Sequence, residues 1–126
     1  MTTCNPANPI TLEAAEDLSS LQYTYISLDS DGKAISPAAI TAPIVGVVQN
    51  TPGIGEEALI VPMGSGGTSK IVLGATLAAG AKVSTEAATG KAIAAASTAE
   101  PAGLLLQGGV EDDLGEVLLS SQTVDA

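Results

Sequence analysis

The chain has 126 residues with four basic side chains, all lysine, fourteen acidic ones and no histidine, for a formal net charge of −10. That length admits one domain, or a domain with an arm. The charge excludes direct binding of nucleic acid, which needs cations to displace phosphate counterions, disfavours anionic membranes, and leaves neither the commonest general base nor the usual zinc ligand.

In chain order, Met1 to Pro9 (MTTCNPANP) carries two Asn-Pro steps and no apolar periodicity. The residue before a proline favours extended backbone, so we place an extended N-terminal arm over residues 1–19. Its alternatives are a disordered tail or a strap that orders on a partner. Ile10 to Ser20 reads as a short helix capped by Thr11 or as a strand with a turn at Asp17-Leu18-Ser19-Ser20. Leu21, Tyr23 and Tyr25 alternate with polar residues, the period of a half-buried strand, and Ile26-Ser27-Leu28 shifts that parity, which predicts a bulge near Tyr25.

Asp29-Ser30-Asp31-Gly32 is a turn, followed by a short strand from Lys33 and a loop through Pro37. Ile44 to Gln49 is apolar enough to be a strand buried on both faces. Asn50 to Gly55 is a turn cluster, Ala58 to Val61 returns as a strand, and Gly64 to Gly67 is a loop. Strands then recur at Lys70 to Leu73, Ala81 to Ser84, the start of the Ala92 to Ala99 stretch, Gly103 to Gln107 and Glu116 to Ser120. Eight to ten short strands separated by Gly/Pro turns predict an all-β barrel or sandwich, a single domain over 20–126.

The chain also repeats itself. Gly32-Lys33-Ala34-Ile35, Pro43 and Gln49 recur as Gly90-Lys91-Ala92-Ile93, Pro101 and Gln107, all 58 residues later. We take this as internal duplication, with repeats over 29–64 and 86–121. With no Phe, no Trp and two Tyr, the core is built from Ala, Val, Leu and Ile and is thin for its length. Such a core is often completed by a neighbouring subunit, so an oligomer is expected.

The search for chemistry is negative. Cys4 is alone, which rules out an internal disulfide. Met1 to Ser20 lacks the apolar segment of a signal peptide, so synthesis in a cytoplasm without export by the usual route is expected. Asp29-Ser30-Asp31-Gly32 has its glycine too early for a calcium loop and lacks the closing Glu, leaving at most a weak surface site. Gly64 to Lys70 lacks the order of a phosphate loop. The carboxylates at Asp29/Asp31, Glu56/Glu57 and Glu111/Asp112/Asp113 read as solvated turn residues, because no aromatic platform exists to hold a sugar between them. No catalytic, cofactor-binding or metal-ligating residue is assigned, and no enzyme is expected.

Several stretches taken in order resemble one family. They are Asp17-Leu18-Ser19 with Gln22-Tyr23, Leu28 to Lys33, Pro43 to Asn50 (PIVGVVQN), Gly55-Glu56, Val72 to Gly80 (VLGATLAAG), Lys82 to Thr85, Gly90-Lys91-Ala92, Gly103, and Gly115 to Leu119. Over roughly Ile10 to Leu119 the chain is similar to the small capsid decoration, or cement, proteins of tailed bacteriophages. More narrowly, it resembles the group encoded beside the major capsid gene. That resemblance implies a β-rich, β-tulip-like fold, homotrimers on the outer capsid surface of a virion made in a bacterial cytoplasm, contact with the major capsid protein, and no catalysis. Two departures stand out: Ala81, where family members often carry an acid, and the arm, which is not a shared motif. We place candidate partner contacts at Thr2, Thr3, Asn5, Pro6, Asn8, Pro9 and Ile10, and in loops at one end of the barrel. The rival readings are a monomeric β-barrel that binds a ligand or peptide, an enzyme whose Glu56/Glu57 and Glu111/Asp112/Asp113 cluster, and another virion part such as a tail subunit or fibre base.

Overall fold

A computed structural model describes residues 9–39, 42–63, 67–95 and 102–119. Within them the chain is all-β, with ten short strands and no helix. Five form the first sheet: β1 (Ile10–Glu13), β2 (Tyr25–Leu28), β3 (Ala34–Ile35), β4 (Gly46–Val48) and β5 (Glu57–Pro62). The second comprises β6 (Thr68–Val72), β7 (Lys82–Thr85), β8 (Ala92–Ala94), β9 (Gly103–Gln107) and β10 (Leu114–Leu118). Every neighbouring pair of strands is antiparallel.

The sheet orders are β1-β5-β4-β2-β3 and β6-β10-β9-β7-β8, the same order read five strands later. The correspondence extends to single residues. Tyr25 faces Val47 and Ile26 faces Gly46, as Lys82 faces Leu104 and Val83 faces Gly103. A parallel bridge joins Ala14 to Ala34, and another joins Leu73 to Ala92. Left-handed backbone recurs at matching places: Tyr23 and Gly80, Gly32 and Gly90, Gly55 and Asp112. Such conformations are costly outside glycine, so their repetition marks one backbone path used twice. The repeated unit runs over 10–62 and 68–118, wider than 29–64 and 86–121, because the strands that open each unit carry little sequence likeness.

Two expectations change. Residues 10–19 are not arm: Ile10 to Glu13 pair with β5, Ala14 is buried, and Leu18 is fully buried in the first core. Paired backbone and a buried leucine hold this stretch against the sheet. The alternation from Leu21 to Tyr25 is not a strand either. Tyr23 sits at a φ of 62°, and its N–H donates to the Val48 carbonyl, so β2 starts only at Tyr25.

The two cores are built from matching positions. Ala14, Leu18, Ile26, Ala34, Val48, Ala58 and Ile60 pack inside the first unit. Leu73, Leu77, Val83, Ala92, Leu105 and Val117 occupy the matching places in the second, and that core also takes in Tyr25 and Val47 from the first sheet. The first sheet is therefore buried on both faces along β2 and β4. Tyr25 is fully buried and its hydroxyl donates to the Ala102 carbonyl at 3.1 Å. Its N–H donates to Gly90 O, the Val72 N–H donates to Tyr23 O, and the Ala88 N–H donates to Pro37 O, so backbone bonds also stitch the units together.

Gly32 and Gly90 share a motif and a left-handed backbone, but a Cβ at Gly90 would lie 2.5 Å from the Tyr25 carbonyl oxygen, whereas one at Gly32 meets nothing. Gly32→Ala should cost only the backbone strain of about 1–2 kcal/mol. Gly90→Ala should cost clearly more in urea titrations, because it also forces the units apart. Tyr25→Phe should lose about 1 kcal/mol through the missing hydrogen bond. Burial also pushes the Tyr25 phenol well above its ordinary value. The raised pKa makes that stability complete below about pH 10, the unfolded value, and progressively lost as pH rises above it. The stability of the native protein should therefore decline above pH 10, and Tyr25→Phe should flatten the decline.

Candidate interaction surface

The acidic turns are rigid loop tips, and their carboxylates bond to their own backbone. In the first unit the Glu56 N–H donates to Gly53 O at 3.0 Å and the Gly53 N–H donates to Glu56 Oε1 at 2.6 Å. In the second the Asp113 N–H donates to Val110 O and the Val110 N–H donates to Asp113 Oδ2, both at 3.0 Å. The Asp29 carboxylate accepts from the N–H groups of Asp31 and Lys33 at 2.9 Å each, the side-chain cap expected of a turn. Asp112 pairs with Lys91 at 2.7 Å and raises the lysine's pKa, while Glu13 lies 3.5 Å from Lys33. Both motif lysines thus tie a hairpin to a neighbouring carboxylate.

No group of three or more His, Cys, Asp or Glu able to hold a metal ion occurs among the described residues. The carboxylates of the two acidic turns are not brought together into such a set. A shallow open depression of about 350 Å³, lined by Lys70, Gln107, Leu114, Gly115 and Glu116, lies on the second sheet. It offers Lys70 and Glu116, register partners on β6 and β10, together with the Gln107 amide.

What the tips offer outward is apolar. Ile54 is 70 % exposed between Gly53 and Gly55, and Val110 is 56 % exposed at the start of the matching turn. Neither is among the candidate contact residues of the arm, Thr2 to Ile10. An isoleucine between two glycines in an acidic turn (PGIGEE) was the available signal, since nothing in a turn tip can bury it. Of the arm residues, Thr2, Thr3, Asn5, Pro6 and Asn8 lie outside the described residues. Pro9 and Ile10 are exposed, and Ile10 opens the edge strand β1.

Ile54→Ser should leave the melting temperature within about 2 °C of the native value, because the side chain contributes little burial to the fold. Loss of partner binding in that variant would then report contact rather than folding.

No protein-family model matches the chain, and no curated protein matches it. Among solved structures it is similar to one described as "The crystal structure of head fiber gp8.5 N base in bacteriophage phi29". The TM-score is 0.67 at 16 % identity, over 94 % of this chain and 98 % of that one. At that identity the likeness is one of fold.

Proposed function

We propose that the chain is a non-catalytic structural protein of a tailed-phage virion that decorates the outer capsid surface as a homotrimer and bridges neighbouring major capsid proteins. One observation carries this reading. The fold is shared over nearly the full length of both chains with the base of a phage head fibre. The ordered set of motifs from Asp17 to Leu119 points to virion surface proteins independently of that likeness.

The physical properties suit such a role. A head protein works by burying surface at joints of the shell, which requires stiff contact loops and no active site. The self-capped turns at Gly53–Glu56 and Val110–Asp113 are stiff, and each carries an exposed apolar side chain. A trimer would offer three copies of each contact, so weak individual contacts gain by effective concentration. A net charge of −10 would keep finished heads from adhering to one another or to host nucleic acid.

A second reading is favoured by the same observation. The matched structure is a fibre base, which supports a chain that is the seat of a longer fibre or another virion appendage, with the same outward position and a further part attached.

Light scattering on the purified chain should give about three times the 12.3 kDa chain mass. Added to expanded, undecorated phage heads, it should bind saturably and raise the temperature at which they rupture. Ile54→Ser should weaken that binding without changing the solution mass. Failure to bind any head lattice would overturn the decoration reading.

A further inference from the structure

The outer face of the second sheet carries a feature that the first sheet lacks. In the first unit Val47 faces Val61, Val48 faces Ile60, and the Gln49 N–H donates to the Leu59 carbonyl, so β4 runs beside β5 without a break. In the second, Leu105 faces Val117 and Gln107 faces Glu116, so Leu106 is an extra residue in β9. Bulges of this kind re-aim side chains and recur beside functional sites. Here the bulge leaves Leu106 44 % exposed next to the exposed Gln107. Leu114 on β10 is 47 % exposed, at the rim of the open depression that Lys70, Gln107 and Glu116 also line.

Alternation along the strands turns Ser69 and Ile71 of β6 inward and puts Thr68, Lys70 and Val72 on this face. On β10 the same face takes Leu114, Glu116 and Leu118. The register sets them side by side as Val72 with Leu114, Lys70 with Glu116 and Thr68 with Leu118. The Val72 N–H donates to Tyr23 O, so Tyr23 flanks β6 on the side away from β10, and Lys70 Nζ stands 5.9 Å from the centroid of its ring. Across the strands the face therefore reads Tyr23, Lys70, Glu116, Gln107: one cation beside one anion, with apolar groups around them. The chain as a whole carries a net charge of −10, yet this patch is balanced. A balanced patch gives a strongly charged partner no advantage and does not repel a copy of itself.

We infer that two copies of this chain meet face to face across a two-fold axis that runs along the strands between β6 and β10. That operation lays β6 of one copy over β10 of the other. Lys70 then opposes the partner's Glu116, and Glu116 opposes the partner's Lys70. Val72 opposes the partner's Leu114, and Leu106, one strand further out, falls over the partner's Tyr23. Every contact is made twice, as an isologous interface requires. Sheets packed face to face keep their strands nearly aligned, and this axis does the same. The contact goes beyond the proposed function, because a two-fold contact cannot close a trimer; it joins a copy in one trimer to a copy in the next.

The test is the solution mass of the full chain against concentration, with circular dichroism and melting curves to show that each variant folds. The native chain should show a step that doubles the mass of its smaller species, whether that species holds one chain or three. Lys70→Glu and Glu116→Lys each set like charges across the axis at both contacts and should abolish the step. Mixed in equal amounts they should restore it, because each Glu of one variant then faces a Lys of the other. Should either charge variant fail to fold, Leu114→Asp leaves both charges in place and should also lose the step; keeping it would overturn the contact. A native chain without the doubling step, or charge variants that keep it, would overturn the contact and leave the trimer standing. Charge variants that lose the step and do not regain it on mixing would overturn the pairing of Lys70 with Glu116. A single chain that doubles and goes no further would support this contact and count against the trimer.

Discussion

Tyr25 belongs to the first sheet by its backbone and to the second core by its side chain. Its phenol lies with Leu105 and Val117, its hydroxyl donates to Ala102 O, and its N–H reaches Gly90 O. The chain has no Phe and no Trp, so this is the largest side chain available to fill the space between two curved sheets of small aliphatic residues. Each five-stranded unit alone has a core of mostly small side chains. Joining the units lets β2 and β4 be buried on both faces, which adds apolar area without adding chain length.

The joint is asymmetric although the two units share one strand order. The second core admits Tyr25 and Val47 from outside, whereas the first is closed by its own Leu12, Leu21 and Val45. The backbone path was kept in both copies, including the left-handed positions at Tyr23/Gly80 and Gly55/Asp112. The side chains at the joints were not. Where the two units touch, the surface is aromatic or hydrogen-bonded.

The acidic turns are ordered by their own side chains. Carboxylates that cap their own turns are tied up in local order, as at Glu56 and Asp113, so the turns hold their shape and carry Ile54 and Val110 outward. The ion pairs that reach between elements, Lys33–Glu13 and Lys91–Asp112, are largely exposed and contribute little to stability. Rigidity here comes from backbone bonds and buried aliphatics.

The sequence by itself determined the class of fold and most strand positions, because alternation, Gly/Pro turns and an aliphatic composition are local signals. The turn at Asp29–Gly32 and the buried strand at Gly46–Val48 were legible for that reason. It also pointed to a repeat through the lysine motifs and the glutamines, which sit at turns and strand ends with strict local requirements, and the two sheets share one strand order. Only the tertiary structure decided that residues 10–19 join the sheet, since β1 is an edge strand whose partner β5 lies far along the chain. The same holds for Tyr23, whose left-handed backbone breaks an apparent strand and is held by a bond to Val48. Which face of each repeat meets the other depended on the side chains opposite, and the tyrosine at position 25 matters only because the Gly90 loop and Ala102 are there to receive it.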